Sequence, residues 1–308
     1  DNEVLIASIK TKMHTISPAV GEGLMHAVDL AERDFQGLVI WSNDEWFSAG
    51  ADLQTVMQGY VAGGAITVGG MEEELQMLML RLRYAQVPTI AAIRGLALGG
   101  GCELSVYCSA RVAAMESYIG LVEMGVGVIP GGGGMTYIAR RAAEKASYST
   151  GTDLLPFLTE GFTAAAMAKV GTSALESRDL DYILHSDTIV ANKDELLYVA
   201  IQRARAMFQC GYRPPLRRLF PVAGRDGKAT IQGSLVNMRD GGFISAHDFD
   251  IASHIAHIAC GGDVDPGTLV NEEYLMQLER EAFTALVAHP KTQDRLLHMM
   301  NTGKPLRN

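Results

Sequence analysis

The segment Gly95-Leu-Ala-Leu-Gly-Gly-Gly-Cys-Glu103 follows an apolar run at residues 89–93 and leads into residues of helical character. Three successive glycines at such a junction permit backbone dihedrals closed to other residues and let a ligand approach the main chain. A helix that begins there leaves its first N–H groups without acceptors and turns the positive end of its dipole outward. That is equipment for holding an anion or stabilising an oxyanion. The same glycines would serve equally well if they only let strand and helix pack tightly, and spacing alone does not separate the two readings.

Two carboxyl groups accompany the glycines. Glu103 stands directly after them, and Glu123 lies further on in Gly120-Leu-Val-Glu-Met-Gly125, among apolar neighbours. A carboxyl in apolar surroundings tends to keep its proton, because desolvation disfavours the charged form. Two carboxyls in unlike environments can divide acid and base roles. The plainer alternatives are that Glu103 complements a helix dipole and that Glu123 sits on a loop surface. A third segment, Phe47-Ser-Ala-Gly-Ala-Asp-Leu53, follows the apolar run ending at residue 42. It is either an ordinary β-to-α turn or a second source of backbone N–H for the same developing charge.

Other chemistries have less to stand on. A dinucleotide fingerprint needs its first glycines immediately after a strand and an acidic residue about 20 positions on, a register neither glycine cluster fits. His247, His254 and His257 have helical spacing but no acidic or cysteine partner at a matching interval. With Ile251, Ile255 and Ile258 around them they read as a helix core rather than a metal site. No G-x-S-x-G elbow is present for a serine hydrolase. The run Met71-Glu-Glu-Glu-Leu-Gln76 reads as a solvated helix face.

These segments need a scaffold to position them. Residues 4–9, 37–42, 89–93 and 111–114 read as strands, with the continuous apolar runs of a buried sheet. Ser17-Pro18 is a helix start, followed by Leu24, Ala27, Val28 and Ala31 at helical spacing, and residues 72–83 form a second amphipathic helix. That order predicts an α/β domain. Residues 157–169, 194–210 and 274–286 are helical, with breaks at Pro214-Pro215 and Asp265-Pro266-Gly267. A catalytic core over residues 1–170 and a helical C-terminal region over 171–308, serving packing and oligomerisation, is the expected division.

Composition bounds the function. Hydrophobic residues make up 48% and charged residues 20%, which excludes a disordered chain. With 26 Lys and Arg against 35 Asp and Glu, the net charge of −9 excludes nucleic-acid binding through bulk positive charge. The longest apolar stretch, residues 87–106, is interrupted by Arg94 and Glu103, so no membrane span is expected. Four cysteines in no paired spacing, and no secretory signal at the N-terminus, predict a cytoplasmic location. The chain begins at Asp1, which points to a processed chain or a piece of a longer polypeptide.

Taken together, the three motifs resemble the crotonase superfamily, also called the enoyl-CoA hydratase/isomerase family. Phe47-Ser-Ala-Gly-Ala-Asp-Leu53 is similar to that family's first oxyanion turn, and Ile90-Ala-Ala-Ile-Arg-Gly-Leu-Ala-Leu-Gly-Gly-Gly-Cys-Glu-Leu104 to its second. The segment from Gly120 to Gly134 resembles the one that carries the family's second glutamate. The chain departs from the pattern at Val122, where relatives often have Pro, at Ser109, where Asp is common, and over residues 140–162. Its tail resembles the C-terminal end of bacterial fusions in which a 3-hydroxyacyl-CoA dehydrogenase precedes a hydratase-like domain.

The resemblance implies a spiral of ββα turns, an acyl-CoA thioester as substrate, and assembly as trimers or dimers of trimers. By motif position the oxyanion donors are the N–H groups of Ala51 and Gly100, with Ala49, Asp52, Leu53 and Gly99 at the substrate. Glu103 would activate water and Glu123 deliver a proton, in a hydratase of fatty-acid β-oxidation. No metal or redox cofactor is implied; NAD would belong only to a fused dehydrogenase portion. The alternatives are a Δ3-Δ2 enoyl-CoA isomerase using Glu123 alone and a non-catalytic CoA-binding or oligomerisation domain. CoA phosphates need local cations against the acidic net charge, and Lys10, Lys12 and Arg94 lie near the motifs without an assigned contact.

Overall fold

The computed structural model describes residues 3–149 and 153–308 and contains two compact units. The first comprises residues up to Asp52, Glu74–Leu121 and Val170–Leu216. Its centre is a six-stranded sheet of β1 (Leu5–Ala7), β2 (Leu38–Ile40), β3 (Thr89–Leu98), β4 (Ala110–Gly120), β5 (Val170–Gly171) and β6 (Thr188–Val190). The first four strands pair in order and in parallel; β5 joins β4 antiparallel at Ile119 and Gly120, and β6 joins β4 in parallel. Parallel strands are covered on both faces, so β2 is a run of three buried aliphatics. Val39, Ile90, Ala92 and Val112 form a core with Leu196, Ala200 and Ala204 of the helix Leu196–Gln209.

The helices of this unit are α1 (Pro18–Asp34), the end of α2 (Leu53–Arg83), α3 (Gly100–Tyr107), α6 (Ala174–Asp179) and α7 (Leu196–Gln209). Ser17 caps α1 by accepting from Val20 N, and Pro18 stands at the first helical position. Arg81 ties α2 to α1 through Glu32 and Asp29, at 2.6 and 2.8 Å. Arg111 of β4 and Asp187 are buried together, Nε to Oδ2 at 2.6 Å. Asp187 also accepts from the N–H of Arg111 and of Leu184, so each charge has the partners that burial demands.

The second unit comprises Leu53–Glu73, Val122–Lys169 and Arg217–Asn308. It holds the start of α2, then α4 (Gly134–Tyr148), α5 (Leu155–Ala166), α8 (Gly224–Asp240), α9 (Ala246–Ala259), α10 (Glu272–Val287) and α11 (Pro290–Thr302). A two-stranded antiparallel ribbon pairs β7 (Phe220–Pro221) with β8 (Leu269–Val270). Phe220, Val222, Val270 and Leu275 pack on Ala139 and Ala143 of α4. Glu279 is wholly buried and accepts from both the N–H and the hydroxyl of Thr136, a carboxylate at the positive end of α4.

Several expectations need correction. The helix expected over residues 72–83 begins at Leu53 and is interrupted at Gly64, whose φ is +65°. Glycines at 59, 63, 64, 69 and 70 are poor helix formers locally, and at Gly69 Thr284 packs so closely that a Cβ would meet it at 3.3 Å. The acidic run at 71–76 is solvated only in part: Glu73 and Glu74 are exposed, whereas Glu72 and Gln76 are buried. The strand expected to end at residue 114 continues to Gly120 through a register shift opposite Ile93 and Gly95.

Candidate active site

In the first unit, residues 47–52 run beside the end of β3, and their backbone donors can be followed one at a time. Phe47 and Ser48 N–H both reach Leu96 O, at 3.0 and 2.9 Å. Ala49 N–H donates to Met13 O, Gly50 N–H to Ser48 Oγ and Asp52 N–H to Ile16 O. Among the described residues only Ala51 N–H in this turn has no acceptor, because Ile16, bonded to Gly50 O and by Asp52 N–H, straddles it. Ala51 is half-buried, and its N–H is left for an acceptor from outside the turn.

Gly100 is the first residue of α3, where an N–H has no partner within the helix. Gly99 before it has φ 53° and ψ −124°, a conformation for glycine alone. Gly99 N–H is spent on Gly120 O and Leu98 N–H on Ser48 O, which leaves Gly100 facing the turn. A Cβ on residue 100 would lie 3.4 Å from Ala51 N, and a Cβ on residue 50 would lie 3.3 Å from Gly100 N. The two amide nitrogens are therefore neighbours. Glu103 follows on the first turn of α3, 2% exposed, with its N–H on Gly99 O at 3.0 Å. Ala49, Asp52 and Leu53 are half-buried along the turn.

His14 supports this turn and was not singled out from the sequence, where a lone histidine carries no signal. Its ring is 5% exposed, with Nδ1 2.8 Å from Trp46 O and Nε2 2.9 Å from Asp44 Oδ2. Its carbonyl accepts from Ser48 Oγ, and it shares left-handed φ values with Met13. Such backbone strain persists only where the surroundings hold it. Arg94 donates to the carbonyls of Asn43 and Asp44, so its guanidinium braces the same loop, while Lys10 and Lys12 stand in solvent.

In the second unit, Glu123 heads a short 3₁₀ turn, Glu123–Val126, that ends at Gly127. Val128 N–H returns to Glu123 O and Gly127 N–H to Met124 O, each at 3.2 Å. Both carboxyl oxygens of Glu123 are shielded from solvent. The Met124 side chain lines an apolar cavity of about 220 Å³ with Phe162, Ile231, Leu235 and Ala252. His247 and its neighbours on α9 are packed as a helix core, and no group of three or more metal-binding side chains occurs among the described residues.

Residues 4–171 match the family model described as enoyl-CoA hydratase/isomerase. The chain belongs to the enoyl-CoA hydratase/isomerase family. Within the family's reach, it is 36% identical over 307 residues to a probable 3-hydroxyacyl-CoA dehydrogenase of Bacillus subtilis (strain 168), covering 100% of this chain and 38% of that protein. It is 31% identical over 294 residues to a putative fatty acid oxidation complex trifunctional enzyme of Rickettsia felis, covering 96% of this chain and 37% of that one. The chain thus spans less than two fifths of the length of these relatives. The crystal structure of enoyl-CoA hydratase from Bacillus halodurans superposes with a TM-score of 0.62 at 17% identity, covering 96% of each chain. The fold is that of the crotonase family, α/β with a helical C-terminal region, as its motifs implied. Among the described residues no helix is long and apolar enough to cross a membrane.

Proposed function

We propose that this member of the enoyl-CoA hydratase/isomerase family adds water reversibly to a trans-2-enoyl-CoA, giving the 3-hydroxyacyl-CoA. The observation that supports it most directly is the pair of neighbouring amides, Ala51 N–H and Gly100 N–H, with the buried Glu103 on the helix that Gly100 begins. Acyl-thioester chemistry needs that pair, because the electron pair displaced from the double bond comes to rest on the thioester oxygen. Fixed donors aimed at such an oxygen are worth about 2.7–4 kcal/mol each in the transition state.

The oxygen of water bonds the β-carbon while its proton passes to Glu103. The alkene pair moves to form the enolate held by Ala51 and Gly100. Glu123, carrying a proton, delivers it to the α-carbon as the carbonyl re-forms. Return of that proton from Glu103 to Glu123 before the next turnover leaves the protein unchanged. General acid and base contributions of this kind are worth about 10²–10⁴-fold each.

The lengths of the relatives support a further part of the reading. We take the chain as one portion of a longer polypeptide that also carries a 3-hydroxyacyl-CoA dehydrogenase, which would oxidise the alcohol made here. Trimeric assembly and a cytosolic setting belong to the same reading.

The test is loss of the conjugated enoyl-thioester absorbance of crotonyl-CoA with wild type, Glu103→Gln and Glu123→Gln. Hydration that both substitutions abolish is expected. Isomerisation of a 3-enoyl-CoA that survives Glu103→Gln would replace the hydratase by the isomerase, and binding without turnover would leave a CoA-binding domain.

A further inference from the structure

Helix α11 meets the turn that carries Glu123 through polar contacts to its backbone. Thr292 Oγ donates to Gly127 O at 2.7 Å, and Arg295 Nη1 reaches Met124 O at 3.3 Å. The two carbonyls bracket the 3₁₀ turn, one directly after Glu123 and one at its end. Gly127 makes the approach possible: a Cβ there would stand 3.0 Å from Thr292 Cα and 3.1 Å from Arg295 Cδ. Met124 itself is 2% exposed and lines the apolar cavity.

Both donors are themselves fixed. The Thr292 hydroxyl proton is committed to Gly127 O, so its oxygen accepts from His247 Nε2–H at 2.9 Å. Arg295 has no exposed surface and divides its guanidinium among Asp248 Oδ1 at 2.8 Å, Asn308 Oδ1 at 2.8 Å and Ser245 Oγ at 3.4 Å. Asp248 also holds Arg307, at 2.9 Å, and closes the capping box of α9 with Ser245. A guanidinium buried this completely adds little stability that apolar packing would not supply, since desolvation offsets most of the attraction. What it does supply is direction: a planar fork sets its acceptors at fixed angles.

We propose that Arg295 and Thr292 are positioning residues that hold the Glu123 turn in register for proton delivery, an inference that rests on the reading of Glu123 as the acid. Neither side chain is assigned a contact with substrate. A misplacement of about 1 Å in a reacting group costs roughly 100-fold in rate, so a turn fixed at two carbonyls has a kinetic purpose.

The experiment compares Thr292→Val, Thr292→Ser, Arg295→Met and Arg295→Lys with wild type, Glu123→Gln and the α10 cap variant Asn271→Ala, which serves as a stability control. Thr292→Val is expected to lower kcat on crotonyl-CoA by about 10- to 100-fold, with KM moved by no more than about twofold. The pH–rate limb that Glu123→Gln abolishes should shift as well. Hydrogen exchange at the amides of Gly127 and Val128 should quicken, and Thr292→Ser should restore both rate and protection. Asn271→Ala should lower the melting temperature while kcat and exchange at the turn stay unchanged. If Arg295→Met fails to fold, the threonine pair alone decides. Wild-type kcat and exchange in Thr292→Val, beside an inactive Glu123→Gln, would overturn the positioning role and leave the hydratase standing. A wild type that does not hydrate crotonyl-CoA would overturn the reading of Glu123 and this proposal with it.

Discussion

A methyl group on residue 100 would sit 3.4 Å from the amide nitrogen of Ala51. The other nearest atoms, Gly50 C and Ile16 Cδ1, would lie at 3.7 Å, which is ordinary contact. Gly100→Ala should therefore fold normally and gain about 0.5–1 kcal/mol, as a helical Gly-to-Ala exchange does. It should also block the thioester oxygen, lowering kcat/KM by about 10²–10³-fold, the loss of one oxyanion donor. Thermal melts beside the crotonyl-CoA assay check this, and an active Gly100→Ala would remove Ala51 and Gly100 from the mechanism.

Gly50→Ala should behave in the opposite way. Its φ of +102° suits glycine, and a Cβ would press on Leu98 O at 2.7 Å. Destabilisation of about 1–3 kcal/mol is expected from the strained backbone alone. Urea unfolding of the two alanine variants side by side separates a steric block from a folding defect; equal midpoints would contradict the geometry.

Asp187→Asn should leave the guanidinium of Arg111 buried without its charge partner. Breaking a buried pair from one side costs about 3–5 kcal/mol, whereas replacing both partners by apolar residues of similar size is often nearly neutral. The prediction is a large fall in the urea midpoint for the single variant. A loss below about 1 kcal/mol would mean that water reaches the pair.

Acid should weaken the second unit through His247. Burial first, then the positive charge of Arg295, hold its pKa down at about 4, against 6.5 for the free side chain. The unfolded chain therefore takes up a proton at this residue near pH 6.5, but the folded chain only near pH 4. The contribution to stability is complete above pH 6.5 and is lost progressively as the pH falls toward 4. His247→Gln keeps a side-chain N–H for Thr292 but cannot titrate, so its melting temperature should change less across that window. Parallel curves for the two proteins would show that His247 carries none of the effect.

Thiol labelling offers an independent check on burial. Of the four cysteines, Cys102, Cys108 and Cys260 are buried and Cys210 is exposed. Burial pushes the Cys108 and Cys260 thiols up to about 12, far from the reactive thiolate. Brief alkylation of the native protein should mark Cys210 alone by mass spectrometry, and all four after denaturation.

Part of the candidate site and of its scaffold was legible in the sequence because it is written in local chemistry. Glycines at 99–101 after a buried strand announce a strand-to-helix junction, and strands β1, β2 and β3 are apolar runs that any parallel sheet requires. Glu103 follows those glycines by chain order alone. The start of α2 was hidden for the opposite reason: its glycines are poor helix formers locally, and a close approach such as that of Thr284 to Gly69 is made only in the folded unit.

Which amide is free was decided in three dimensions. Ala51 N–H is left over because Met13, Ile16 and Leu96, distant in sequence, claim the donors around it. The same holds for the Glu123 turn, whose carbonyls meet Arg295 and Thr292 across 171 and 165 positions of chain. Sequence determines the residue types and the short-range elements, since propensity and spacing act over a few residues. Partners brought together by the collapse of a whole unit leave no local mark, because hydrogen-bond geometry depends on distance in space and not along the chain.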